Sequence, residues 1–166
     1  MGLPVDWLLD AMSQVIWRHP AIAAFSAEAK TQAILMKSLP ELCMLRSAGL
    51  KRIYHYIFTD SEVLLRESIT GETLAEQRAA AALIHESGIE LIQVVIAGLE
   101  VFPDDAVDHF SFMRPHKLLV AGEMGTEVIR QDLRRMHDLL MAQGGEMTIE
   151  FTSNDESGLT PVCEYL

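Results

Sequence analysis

Asp104, Asp105 and Asp108 are the residues whose types and spacing come nearest to chemistry. On a helix, residues four and three apart lie on one face, so the three carboxylates would converge. Hard oxygen ligands of this kind suit Mg²⁺. A Mg²⁺-dependent enzyme acting on a phosphorylated small molecule is therefore one function class that the chain admits. A simpler account is electrostatic: after Pro103, acidic side chains in a first helical turn meet the positive end of the helix dipole. No second carboxylate motif completes a metal site. The sequence assigns no catalytic residue, no metal ligand and no cofactor.

The other chemistry-bearing residues give less. The six histidines are His19, His55, His85, His109, His116 and His137. None forms an HxxxH pair, and none lies beside a cysteine at zinc-site spacing. The densest grouping is Asp105, Asp108, His109 and His116. Cys43 sits in the run Leu42-Cys43-Met44-Leu45 and reads as a small buried hydrophobe; Cys163 is near the end of the sequence. Gly122-Glu123-Met124-Gly125-Thr126 precedes a helix start but lacks a phosphate-binding lysine, and it places Glu123 and Glu127 where an anion would go. Arg130, Arg134 and Arg135 interleave with Glu127, Asp132 and Asp138, as intrahelical ion pairs do. Lys51-Arg52 stands before Tyr54 and Tyr56.

Charge distribution is more informative than any of these motifs. The net charge is −11. Residues 1–83 hold eight Lys/Arg against nine Asp/Glu, whereas residues 84–166 hold five against fifteen. Such asymmetry bears on partners and solubility, not on fold. It disfavours duplex DNA and anionic membranes and favours a basic protein partner. The partner-binding candidates are Glu100, Asp104, Asp105 and Asp108 around a short helix, then Glu146, Glu150, Asp155 and Glu156 on the tail. An acidic surface of this kind can also mimic nucleic acid in a basic groove.

The elements that must position these residues follow from periodicity. Val5, Leu8, Leu9, Met12, Val15 and Ile16 recur at helical spacing after Pro4, and His19-Pro20 ends the helix. A second helix is expected from Ser26 to Met36, and a short one from Glu41 to Ser47, stopped at Gly49. Ile53–Phe58 is a strand or a buried helical turn. Thr59/Glu62, Thr73/Glu76 and Ser87/Glu90 are spaced as capping boxes. The third would open a helix through Ile89, Ile92, Val95, Ile96, Leu99 and Phe102. Thr126 begins an amphipathic helix that Gly144-Gly145 stops. Met147, Ile149 and Phe151 alternate with polar residues as in a strand, and Pro161 marks an edge partner.

The expectation is one globular domain over residues 1–166. It is mainly α, with about five to seven helices and a small C-terminal β-hairpin; an α+β arrangement is the alternative. Neither a signal peptide nor a membrane span is expected, and a cytoplasmic protein is. The expected function is that of a non-enzymatic acidic adaptor, inhibitor or immunity-type factor. A helical ligand-binding or dimerisation domain, the latter as a homodimer, is a further alternative. It rests on the alanine-rich run Ala79–Ala82 and on nine methionines.

Overall fold

The computed structural model describes residues 1–57, 71–96, 112–121, 138, 141, 149–152 and 161–162. In chain order the elements are α1 (Val5–Arg18), β1 (Phe25–Ala29), α2 (Thr31–Leu35), α3 (Leu39–Ser47), β2 (Leu50–Ile57), α4 (Leu74–Ser87), β3 (Glu90–Ile96), β4 (Lys117–Ala121), β5 (Ile149–Thr152) and β6 (Pro161–Val162). The strands form one six-stranded sheet in consecutive order, β1 to β6. Strands β1 to β5 pair parallel, and β6 returns antiparallel to β5.

This is an α/β fold, so the mainly α expectation is overturned. Ile53–Phe58 and Ile89–Ile96 hold the strands that the α+β alternative required, but the parallel pairing and interleaved helices differ from that arrangement as well. Two segments have misleading periodicity. Ser26 does not cap a helix; it lies inside β1, and the helix begins only at Thr31. Ser87 does not open a helix either; it closes α4, and Gly88 caps that end in the left-handed region at φ 72°. A residue with a Cβ resists that conformation. A Cβ at Gly88 would also lie 3.1 Å from the Arg46 side chain, whose Nε donates to the Gly88 carbonyl. The run after Gly88 is apolar on consecutive residues because β3 is buried on both faces: Leu91, Ile92, Gln93 and Val94 are all buried. A strand inside a parallel sheet has that pattern, which helical periodicity can imitate.

Register divides the sheet into two faces. Ala29, His55, Gln93 and Leu118 form one cross-strand row, flanked by Ala27, Ile53 and Leu91. On this face Ile53, Ile57, Leu91 and Leu118 join Ile34, Leu42, Leu45, Ala80, Ala81 and Ile84 of the helices in one core. A consecutive strand order with crossovers of one hand puts crossover helices on a single face. The other face carries the row Glu28, Tyr54, Ile92, Lys117, between Ser26–Arg52–Glu90 and Tyr56–Val94–Leu119. Ile92 and Val94 are buried there, outside the helical core.

Two helix starts are chemically fixed. The Ser38 N–H and hydroxyl both donate to the Glu41 carboxylate at 2.7 Å, with Pro40 in the first turn of α3. At α4 the Thr73 hydroxyl accepts from the Glu76 N–H, and the Thr73 N–H donates back to Glu76. The expected Thr73/Glu76 box is thus present, and the short helix ending at Ser47 also stands where expected. The expected box at Thr59/Glu62, the helix after Pro103 and most of that after Thr126 lie outside the described residues. Cys43 is exposed, not buried: its turn of α3 presents Leu42 and Leu45 inward and Cys43 outward. No helix among the described residues is long and apolar enough to cross a membrane.

The backbone hydrogen bonds of the two boxes, then the side-chain ones, hold Glu41 and Glu76 below the ordinary glutamate pKa. A depressed folded value stabilises the fold above the unfolded pKa, and that stabilisation is lost as pH falls through the folded value. The unfolding midpoint in urea should therefore drop below about pH 4, the usual glutamate range. Thr73→Ala should cost about 1 kcal/mol at neutral pH, read from the same curves.

Candidate functional site

Helix α1 presents two unlike sides. Val5 and Met12 are buried, and Leu8 and Leu9 pack partly buried against the core. Opposite them, Trp7 is 70% and Trp17 81% exposed. Asp6, Asp10, Ser13 and Trp17 follow at spacings of four, three and four, and Trp7, Ala11, Gln14 and Arg18 repeat that spacing alongside. The two stripes therefore adjoin on the helix surface. All eight side chains are exposed. The tryptophans are about 15 Å apart along the axis, from a rise of 1.5 Å per residue. Between them Gln14 Nε2 donates to Asp10 Oδ2 at 2.7 Å. Helix α1 packs against α3, which shows exposed Met44. Leu3 and Ile22 are exposed just outside the two ends of α1.

Exposed tryptophan is costly to leave in water and is the side chain most enriched at binding hot spots. Helical periodicity accounts for the inward side of α1 and does not single out Trp7 and Trp17. Their signal in the sequence is a position off that apolar stripe, beside Asp6 and Asp10, where packing does not require an indole.

A second cluster is buried beneath the helices. The Thr31 hydroxyl, in the first turn of α2, donates to Glu72 Oε2 at 2.9 Å. It lies 3.0 Å from His55 Nε2, which serves as the donor because the hydroxyl proton is already committed. Thr31, His55, Glu72, Gln77 and Gln93 are all buried. A hydroxyl beside an imidazole is the arrangement of an activated nucleophile. Here, however, its proton points to the carboxylate, and all three residues are closed to solvent. The cluster is a clamp tying α2, β2 and the entry to α4. Replacing Thr31 by Val would leave a buried carboxylate short of a donor. It should cost about 1–3 kcal/mol in denaturant unfolding, with Thr31→Ser retaining most of the stability.

The structure also brings His85 and His116 together, with ring centroids 5.4 Å apart. One ring nitrogen of each is engaged: His85 Nε2 donates to the Met113 carbonyl at 2.8 Å, and His116 Nδ1 accepts from the Leu91 N–H at 3.0 Å. Among the described residues, no group of three His, Cys, Asp or Glu side chains is placed to hold a metal ion.

Of the acidic candidates read from the sequence, Glu100, Asp104, Asp105, Asp108, Glu146, Asp155 and Glu156 lie outside the described residues. Glu150 falls on β5, in register with Leu119 of β4.

At the β1–β2 corner of the second sheet face, exposed Glu28 stands across from half-buried Tyr54. Tyr56 lies two residues further along β2, on the same face as Tyr54. Burial, then the negative charge of Glu28, pushes the Tyr56 phenol above its ordinary value near 10. Arg52 on the same face is paired with Glu90 at 2.9 Å.

No family model matches this sequence, and no curated protein sequence does. Among solved structures, the cobalamin-dependent S-adenosylmethionine radical enzyme OxsB, with aqua-cobalamin bound, is similar at a TM-score of 0.52 and 16% identity. The match covers 92% of this chain and 25% of that one. The chain thus spans about a quarter of that enzyme's length, and the likeness is one of α/β fold.

Proposed function

We propose that this chain is a non-enzymatic, acidic protein-binding factor that docks on a basic partner through the outer face of α1. The observation that carries the proposal is the pair of exposed tryptophans, Trp7 and Trp17, on a helix whose other side already serves the core. Interfaces concentrate their binding energy in a few such aromatic anchors with a polar rim around them. Asp6 and Asp10 supply that rim on α1, and the net charge of −11 supplies long-range attraction for a basic surface. At physiological ionic strength charges are screened beyond about 8 Å. Charge therefore accelerates encounter, and the indoles hold the complex. Adaptor, inhibitor and immunity-type factors all suit this division of labour. A cytoplasmic setting belongs to the same proposal.

Charge alone points to the acidic second half of the chain as the contact surface. The exposed indoles favour the first helix instead, and the acidic residues keep a steering role.

The test compares the wild-type chain with a Trp7→Ala/Trp17→Ala double variant as bait in the source cell's lysate, at low and high salt. Both residues are exposed, so the double variant should stay within roughly 0.5 kcal/mol of wild-type stability per site. A basic protein retained by wild type, released by salt and at least tenfold weaker on the double variant is the expected result. Equal retention by both baits would place the docking surface elsewhere. Loss of a self-associated form in the double variant would make a second copy of this chain the occupant.

A further inference from the structure

We propose that the groove between α1 and α3 is the docking site of a basic amphipathic helix of the partner. The inference rests on the basic partner proposed above and names the structural form in which that partner binds.

Helices α1 and α3 run parallel. The chain enters α1 beside the end of β1, where the Met1 ammonium meets the Glu28 carbonyl at 3.4 Å. A turn at His19–Ile22 then returns it to the start of β1. Helix α3 likewise ends just before β2 begins. Helix α3 packs against both α1 and α4.

Successive residues turn about 100° around a helix. Arg46 follows inward-facing Leu42 by about 40° and reaches the Gly88 carbonyl at the end of α4. That sense of rotation leads toward α4, and the reverse leads toward α1. Met44 stands about 160° from Leu42 in the reverse sense, so it faces outward on the α1 side. On α1 the forward rotation carries the chain from buried Val5 to Asp6 and from buried Met12 to Ser13. The Asp6–Asp10–Ser13–Trp17 stripe is therefore the one beside α3, and the Trp7 stripe lies on the far side.

Two packed helices leave a groove between their outer ridges. Here the groove is acidic at one end and apolar toward the other. Asp6 and Asp10 line the acidic end, and neither is ion-paired among the described residues; Asp10 accepts from the Gln14 amide. Exposed Trp17 and exposed Met44 line the apolar part. From Asp6 to Trp17 is about 16 Å along α1, or three turns.

An occupant of such a groove must bring its backbone hydrogen bonds with it, and a helix does so. The outer edge of β1 is the alternative seat for an extended partner, but Met1 already meets that edge at Glu28. Unpaired carboxylates at one end call for lysine or arginine on the incoming helix. Asp10 and Trp17 are about 10 Å apart along α1, so the partner needs a cation two turns from a large apolar residue. Trp7, on the far stripe, is left to the rest of the partner.

The probe is a Leu/Lys peptide of about four turns, apolar along one helical face. A scrambled peptide of the same composition and a Leu/Glu counterpart are the controls. Trp7→Phe leaves Trp17 as the single tryptophan of the full chain and reports on the groove; Trp17→Phe leaves Trp7 and reports on the far stripe. The expected result is a saturable blue shift of Trp17 emission with the Leu/Lys helix, at least tenfold weaker with either control, and a much smaller response of Trp7. Met44→Ala should weaken the Trp17 response at least threefold with native circular dichroism retained. An unchanged response in Met44→Ala, an equal response to the scrambled peptide, or a shift of Trp7 without Trp17 would overturn the groove. If those tests fail while a basic partner is still held by wild type and lost by Trp7→Ala/Trp17→Ala, docking through α1 stands and the helical form of the partner falls. A blue shift of Trp17 with rising concentration of the chain alone, abolished by Met44→Ala, would give the groove to a second copy and overturn the partner helix.

Discussion

A strand that pairs parallel to its neighbour begins at the end of the sheet where that neighbour began, so the chain must cross back over the sheet to reach it. In this protein four parallel pairings are made in consecutive order. That order assigns the described crossover helices to one face, where Ile34, Leu42, Leu45, Ala80, Ala81 and Ile84 meet Ile53, Ile57, Leu91 and Leu118. The Thr31–Glu72–His55 clamp sits in the same layer and fixes where α2 and the entry to α4 stand over β2. Once the helical layer is filled, α1 packs on α3 at the margin. A marginal helix can bury only one stripe, and its opposite side remains for something else.

The parts of this fold that are legible in the sequence are those written in local chemistry. Pro4 and His19-Pro20 bracket α1, Thr73 and Glu76 mark α4, and the alternation Ile149, Phe151 marks β5. The parts that mislead are those decided by tertiary pairing. β1 is Phe-Ser-Ala-Glu-Ala, with no β-branched residue, and becomes a strand because β2 lies beside it. β3 is buried on both faces and loses the alternation that would reveal a strand. Ser87 and Glu90 are spaced as a capping box, yet Ser87 donates to the Ile84 carbonyl behind it and Glu90 pairs with Arg52 across the sheet. The clamp is invisible in the sequence for another reason: Thr31, His55 and Glu72 are separated by 24 and 17 residues, and only the register of β1 and β2 brings the first two near.

The candidate surface is half legible. Composition points to a basic partner, and the exposed face of α1 suits one. Composition also directs attention to the acidic second half, because charge can be counted along a sequence and exposure cannot. Trp7 and Trp17 carry no charge and resemble core residues until the inward stripe of α1 is seen to be complete without them. The clamp illustrates a related point about polar residues: Thr31, His55 and Glu72 are chemically rich but closed to solvent, so they serve stability.

Trp7 and Trp17 are the two tryptophans of the chain, so intrinsic tryptophan fluorescence reports directly on the outer face of α1. The most direct measurement is acrylamide quenching and emission wavelength for the dilute isolated chain, then for the same chain with a saturating basic partner. Docking through α1 requires emission and quenching like those of a fully hydrated indole in the isolated chain, with a blue shift and protection when the partner is added. Blue-shifted, protected tryptophans in the dilute isolated chain would show that this face is already covered, and would contradict a docking surface on α1.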